Sequence, residues 1–172
     1  LIVPDQSTAA LKFQAGEVDA LDNVKPEDYK HNIDGMDAGD YSLHDLGPSL
    51  TTNFLWFNLN RVREAKPGRR IGDPMVAAAK HRWFAHREFR RAVSSAIDRD
   101  AIIRGPYFGE ALDNWSAPSV GSRRWGNLEV QGVGYDPARA NRILDSLGWK
   151  DRDGDGVRED DRGTPIAFTL KT

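Results

Sequence analysis

Phe89-Arg90-Arg91-Ala92-Val93-Ser94-Ser95-Ala96-Ile97 carries the clearest helical period in the chain. Phe89, Ala92, Val93, Ala96 and Ile97 fall at i, i+3, i+4, i+7 and i+8, on one face of a helix, with Arg87, Arg90, Arg91 and Ser94 on its other sides. A central helix over 87–97 with that apolar face buried is expected. Glu88, Asp98 and Asp100 alternate with Arg87, Arg90, Arg91 and Arg99, which reads as a solvated, salt-bridged face rather than a basic patch.

Further elements extend on both sides. Upstream, Asp73-Pro74 reads as an N-cap and N1 pair opening a helix from Met75 to about Phe84. Before it, Thr52-Asn53-Phe54-Leu55-Trp56-Phe57-Asn58-Leu59-Asn60 is the strongest strand signal and is apolar on both faces in its middle, so burial on both faces is expected. Residues 61–72 are basic and contain Pro67-Gly68, a solvated loop. Downstream, Asp100 to Ile103 form a short helical turn stopped by Gly105-Pro106, and residues 111–134 are irregular. Asp136-Pro137 opens a helix with Ala140, Ile143, Leu144 and Leu147 on one face, ending at Gly148. Residues 166–170 read as a final strand.

Near the start, residues 7–15 suggest a helix capped by Ser7, and Pro26 to Lys30 a second short helix followed by a turn at Asp34-Gly35. Strands are expected at 1–3, 18–21 and 41–46. Helices and strands are mixed, so the class is α/β, an α+β mixture with a mixed sheet and flanking helices. The chain begins at Leu1 and both ends fall inside strand-like runs, which reads as a segment cut from a longer protein.

Composition removes several function classes. The 172 residues carry 24 Lys+Arg against 26 Asp+Glu, a formal charge of −2, without the concentrated basic surface that a nucleic-acid binder needs. Zero cysteine excludes thiol catalysis, disulfides and cysteine-ligated zinc. No apolar run is long enough for a transmembrane helix or a signal-peptide core. There is no Gly-x-Ser-x-Gly elbow and no phosphate-cradling loop, and His81 and His86 are five apart rather than at the four-residue spacing of helical metal pairs, so an enzyme has no positive support.

Two features do suggest chemistry. In Asp151-Arg152-Asp153-Gly154-Asp155-Gly156-Val157-Arg158-Glu159, the carboxylates of Asp151, Asp153 and Asp155 can converge on a hard cation, with the Val157 carbonyl and Glu159 as further ligands. Calcium is the candidate cofactor, though none is required. The twelfth position of an EF-hand-type loop, a bidentate Glu, is Arg162 here, with Asp160 or Asp161 as replacements. The alternative is a solvated Asp/Gly turn. The second feature is Trp115 and Trp125 in the irregular stretch, either as a binding surface or as plugs beneath a long loop.

Taken together, four stretches resemble the extracellular solute-binding proteins of family 5, the peptide- and nickel-binding receptors of bacterial ABC importers. They are residues 2–20 with Leu11-Lys12-Phe13-Gln14-Ala15-Gly16-Glu17-Val18-Asp19, the strand ending Phe57-Asn58-Leu59, the run Phe89 to Arg99 with Gly109-Glu110-Ala111, and Tyr135 to Ala140 with Gly148-Trp149. The resemblance implies a two-lobed periplasmic binding protein about three times this length, of which 1–50 end the first lobe and 51–172 supply the crossing strand and the first half of the second. It implies a non-catalytic receptor holding oligopeptides or similar solutes in a cleft between lobes, docking on an ABC permease, periplasmic or extracellular, with a membrane anchor in the whole protein left open. Asn53, Trp115, Ser116, Ser119 and Trp125 would contact ligand. The final strand's unpaired edge suggests self-association of the isolated segment. A calcium-stabilised structural module and an unrelated hydrolase stay as alternatives.

Overall fold

The chain is described by a computed structural model covering residues 3–65, 67–122, 124–127 and 129–171. It divides into two compact units, Leu1–Thr52 with Arg99–Val130, and Asn53–Asp98 with Gln131–Thr172. The first two residues of the strand expected at 1–3 lie outside the described residues.

In the first unit, α1 spans Gln6–Gln14 and α2 Pro26–Asp37. The cap of α1 is Asp5, not Ser7: its Oδ1 accepts the Thr8 N–H at 2.8 Å, which neutralises one orphan donor of the first turn. The Thr8 N–H and hydroxyl hold the Asp5 carboxyl below its usual range. Pro26 begins α2 as expected, with Glu27 and Asp28 favourably placed against the helix dipole. The helix then runs on through Asp34-Gly35, where the sequence suggests a turn. The reason lies in packing. Tyr41 folds back so that its hydroxyl donates to the Asn32 carbonyl at 2.9 Å and its ring meets Phe13 edge-on at 5.1 Å. A Cβ on Gly35 would lie 2.4 Å from that hydroxyl, so this helical position has room only for glycine. The unit is completed by α3, the short helix Arg99–Arg104, and the irregular stretch after it.

The second unit is built on an aromatic core of Trp83, Phe84, Phe89 and Trp149, with Phe57, Val76, Ala79, Val93, Leu144, Leu147 and Ile166 packed around it. Three helices surround it, α4 over Ala78–Ala85, α5 over Arg87–Ser95 and α6 over Pro137–Ser146. Asp136 caps α6 by accepting the Arg139 N–H at 2.7 Å, as its sequence suggests.

Two helix expectations need correction. Asp73-Pro74 does not open a helix, because this stretch pairs with the chain before it. Val62 N–H donates to Asp73 O at 2.8 Å and Met75 N–H to Asn60 O at 2.9 Å, so the backbone stays extended and α4 starts only at Ala78. The helix expected over 87–97 stops at Ser95. Phe89 and Ala92 are buried and Val93 packs on the core, but Ala96 is exposed and Ile97 half-buried. The Asp136 N–H donates to Ser95 O at 2.8 Å, so the incoming segment before α6 takes a carbonyl at the end of α5.

The mixed sheet is not present among the described residues, which hold only isolated bridges, Arg61 to Pro74, Lys150 to Glu159 and Glu159 to Pro165. The runs at 18–21, 41–46, 52–60 and 166–170 form no ladder. Nor is 52–60 buried on both faces. Phe57 packs on Phe84 and Phe89 at 5.1 and 5.6 Å, whereas Phe54, Leu55, Trp56 and Leu59 are exposed. An extended strand buries both faces only between two covering layers, and within its unit this run has one.

Candidate functional site

In the first unit, three of the expected ligand residues lie in one loop, which its own side chains make rigid. The Ser116 hydroxyl donates to the Pro118 carbonyl at 2.7 Å. Ser119 is buried. Its hydroxyl donates to the Ser49 carbonyl and accepts the Gly121 N–H at 3.1 Å, tying the loop to residues before Thr52. Trp115 is half-buried, with its indole N–H donating to Asp113 Oδ2 at 2.7 Å. The Arg99 guanidinium lies over the same ring, 4.0 Å from its centroid, and its Nε is 3.7 Å from Asp113 Oδ1. Trp125 is 79% exposed. Asn53 is exposed and belongs to the other unit.

Arg99 and Asp113 are additions the sequence did not disclose. Arg99 reads as one of several charges on a solvated helix, and nothing in the spacing of Asp113 and Trp115 distinguishes a bonded pair from two loop residues.

In the second unit, the acidic loop is folded by its own carboxylates. Asp151 accepts the Gly154 and Gly156 N–H groups at 2.7 and 2.9 Å, Asp153 accepts from Asp155 at 3.2 Å, and Asp155 accepts from Val157 at 2.7 Å. Gly156 has φ +87°, a conformation that an L side chain would strain, which is why glycine holds the sixth position. Glu159 is buried and accepts the Arg152 N–H at 2.9 Å. Side-chain oxygens of Asp151, Asp153, Asp155 and Glu159 lie within 4.8 Å of one another. Oxygens on opposite sides of a calcium ion are about 5 Å apart, so this donor set fits a hard cation of that size. Beside the loop runs a shallow groove lined by Asp145, Lys150, Asp151, Gly156 and Arg158. There the Arg158 guanidinium donates to Asp145 Oδ1 at 2.6 Å and holds the Asp145 carboxyl below its usual range.

Asp160 does not act as the replacement ligand. It is wholly buried, and both of its oxygens are engaged. Oδ1 accepts the Arg162 and Thr164 N–H groups, each at 2.9 Å, while Oδ2 accepts the Trp83 indole N–H at 2.7 Å and the Arg82 guanidinium. Burial pushes this carboxyl up, but the Trp83, Thr164, Arg162 and Arg82 donors outweigh it and hold it at about 2.

The family comparison decides what these loops belong to. The model of the bacterial extracellular solute-binding proteins, family 5 middle region, matches residues 1–172. The chain belongs to this family. Family 5 consists of solute-binding proteins, not enzymes. The oligopeptide-binding protein AppA of Bacillus subtilis (strain 168) is 25% identical over 179 residues, covering 99% of this family 5 chain and 27% of its relative. The nickel-binding periplasmic protein of Escherichia coli (strain K12) is 25% identical over 172 residues, covering 98% and 28%. Among solved structures, that of AppA in complex with a nonapeptide matches with a TM-score of 0.58 at 23% identity, covering 95% of this chain and 28% of that one. The fold is therefore that of a segment of a two-lobed periplasmic binding protein. The chain spans about a quarter of the length of the relatives it matches.

Proposed function

We propose that the chain is an internal segment of a receptor that captures peptides or similar small solutes outside the cell membrane and delivers them to the permease of an ABC importer. The family match over all of residues 1–172 carries this reading. Residues 1–50 end one lobe, and 51–172 supply the crossing strand and the first half of the other. The loop that carries Trp115, Ser116 and Ser119 lies in the same unit as residues before Thr52, and these side chains, with Trp125 and with Asn53 on the crossing strand, are ligand contacts of the whole receptor. The loop's internal hydrogen bonds favour this role, because a pre-ordered binding loop loses little freedom when ligand arrives.

Ligand would stabilise the closed arrangement of the whole receptor, and the closed form would dock on the permease. The receptor is periplasmic or extracellular. Among the described residues no helix is long and apolar enough to cross a membrane. A peptide is the first solute to test, because the oligopeptide-binding relative matches in sequence and in its solved peptide complex.

The acidic loop, on the same reading, takes calcium as a structural cofactor, and the convergence of its four carboxylates supports this. The isolated 172-residue segment associates with itself through the edge of 166–170, where Phe168 and Leu170 are exposed.

Native mass spectrometry of the whole receptor, incubated with a mixed peptide library and separately with nickel, tests the assignment. One peptide per receptor is expected. Nickel retained in place of peptide, or no solute retained at all, contradicts it.

A further inference from the structure

Trp115, Asp113 and Arg99 form one connected group. Phe13 and Tyr41 pack on each other, and Trp125 has a backbone hydrogen bond to Ser122. Trp115 is fixed in two ways. The bond from its indole N–H to Asp113 sets the rotation of the ring, and the Arg99 guanidinium covers one of its faces. Asp113 also attracts Arg99, so one carboxylate orients both groups. Trp115 remains partly exposed.

We propose that Trp115, partly exposed, is a flat subsite for one aromatic side chain of the bound solute, with Asp113 and Arg99 as its positioning residues. This rests on the receptor reading above. Three physical arguments lead to it. A ring held in one orientation offers its area without losing rotamer freedom when it stacks. Indole gives a large contact area, and offset stacking adds to area burial. A cation on one face already draws the π electrons toward it, so a second cation on the opposite face gains less than a neutral ring does. The subsite therefore selects aromatic over lysine or arginine side chains.

The test uses the whole receptor and two tripeptides, Ala-Phe-Ala and Ala-Lys-Ala, titrated calorimetrically into the native protein and into Trp115→Ala, Asp113→Ala and Asp113→Asn. Thermal midpoints monitor folding, and hydrogen exchange of the Trp115 indole N–H by NMR reports ring fixation directly. The native receptor should prefer the Phe peptide by roughly tenfold, the scale of one aromatic pair. Trp115→Ala and Asp113→Ala should abolish the preference. Asp113→Ala should also speed indole exchange by roughly tenfold, as expected when a hydrogen bond of ordinary strength is lost. Asp113→Asn keeps an acceptor and should rescue most of the fixation.

An equal loss of both peptides in Asp113→Ala, an unchanged preference, or unchanged indole exchange in a folded variant would overturn the positioning role. If the native receptor binds neither peptide, the transport reading fails and the ligand half of the proposal with it. The exchange measurement still decides whether Asp113 fixes Trp115.

Discussion

Trp83 donates its indole N–H to Asp160 at 2.7 Å across 77 positions of sequence, which pins the segment after the acidic loop to the last turn of α4. The carboxylate accepts from two side chains and two backbone groups and has no contact with solvent, so it works as a structural clamp. Asp160→Ala would leave the Trp83 N–H, the Arg82 guanidinium and two backbone N–H groups without their acceptor. A loss of ~3 kcal/mol or more is expected in urea denaturation, the scale for removing one member of a buried, hydrogen-bonded pair.

The same carboxylate predicts acid sensitivity. Its folded-state pKa is depressed, to about 2 from an unperturbed 3.8. Its contribution is therefore fully present above the unfolded value and is lost as pH falls through the folded one. A shift of this size corresponds to about 2 kcal/mol. Chemical denaturation followed between pH 5 and pH 2 should show a drop that Asp160→Asn, already destabilised, lacks over the same window. Parallel pH profiles for the two proteins would remove Asp160 as its source.

Phe89 packs on Phe57, Phe84, Trp149 and Phe168, with ring centroids 5.6 to 6.4 Å apart. Phe89→Ala should cost ~3–5 kcal/mol. An unchanged thermal midpoint would contradict the placement of α5 in the core.

Ser95 gives the opposite expectation. It is fully buried and its hydroxyl has no hydrogen-bond partner among the described residues. Ser95→Ala removes a desolvated polar group at little cost in volume, so stability should hold or rise by up to ~1 kcal/mol. A clear loss in thermal melting would mean that the hydroxyl has an essential bond.

Calcium should raise the thermal midpoint through the acidic loop. At about 100 times the dissociation constant, an ion that binds only the folded chain adds ~2.7 kcal/mol. The shift between chelator and millimolar calcium should vanish in a double variant, Asp151→Asn with Asp153→Asn. An identical shift in the native and double-variant proteins would place the ion elsewhere, and no shift in either would leave the loop a plain turn.

Several local signals were legible. The Asp136-Pro137 start, the Pro26 start, the apolar face around Phe89 and the carboxylate spacing of the acidic loop each depend on neighbours within a few residues. The Ser7 cap is a local miss, since Asp5 takes the Thr8 N–H, but the other misreadings depend on distant partners. Asp73-Pro74 looks like a helix start until Val62 and Asn60 claim its backbone, and Asp34-Gly35 looks like a turn until Tyr41 is seen beside the helix. Strand runs such as 52–60 display propensity, but pairing is a property of two segments, and propensity names only one. In the same way Asp160 reads as a spare metal ligand, because its partners Arg82 and Trp83 lie far back in the chain.

On the receptor reading, this segment supplies only part of a solute site. Calorimetry with one mixed peptide library, run in parallel on the whole receptor and on the 172-residue chain, tests it most directly. A site that encloses most of its ligand loses much of its affinity when most of its walls are removed, because the cost of immobilising the ligand remains. Saturable binding by the whole receptor is expected at about micromolar concentration or tighter, and none of comparable strength by the 172-residue chain. Equal affinity of the two would contradict it.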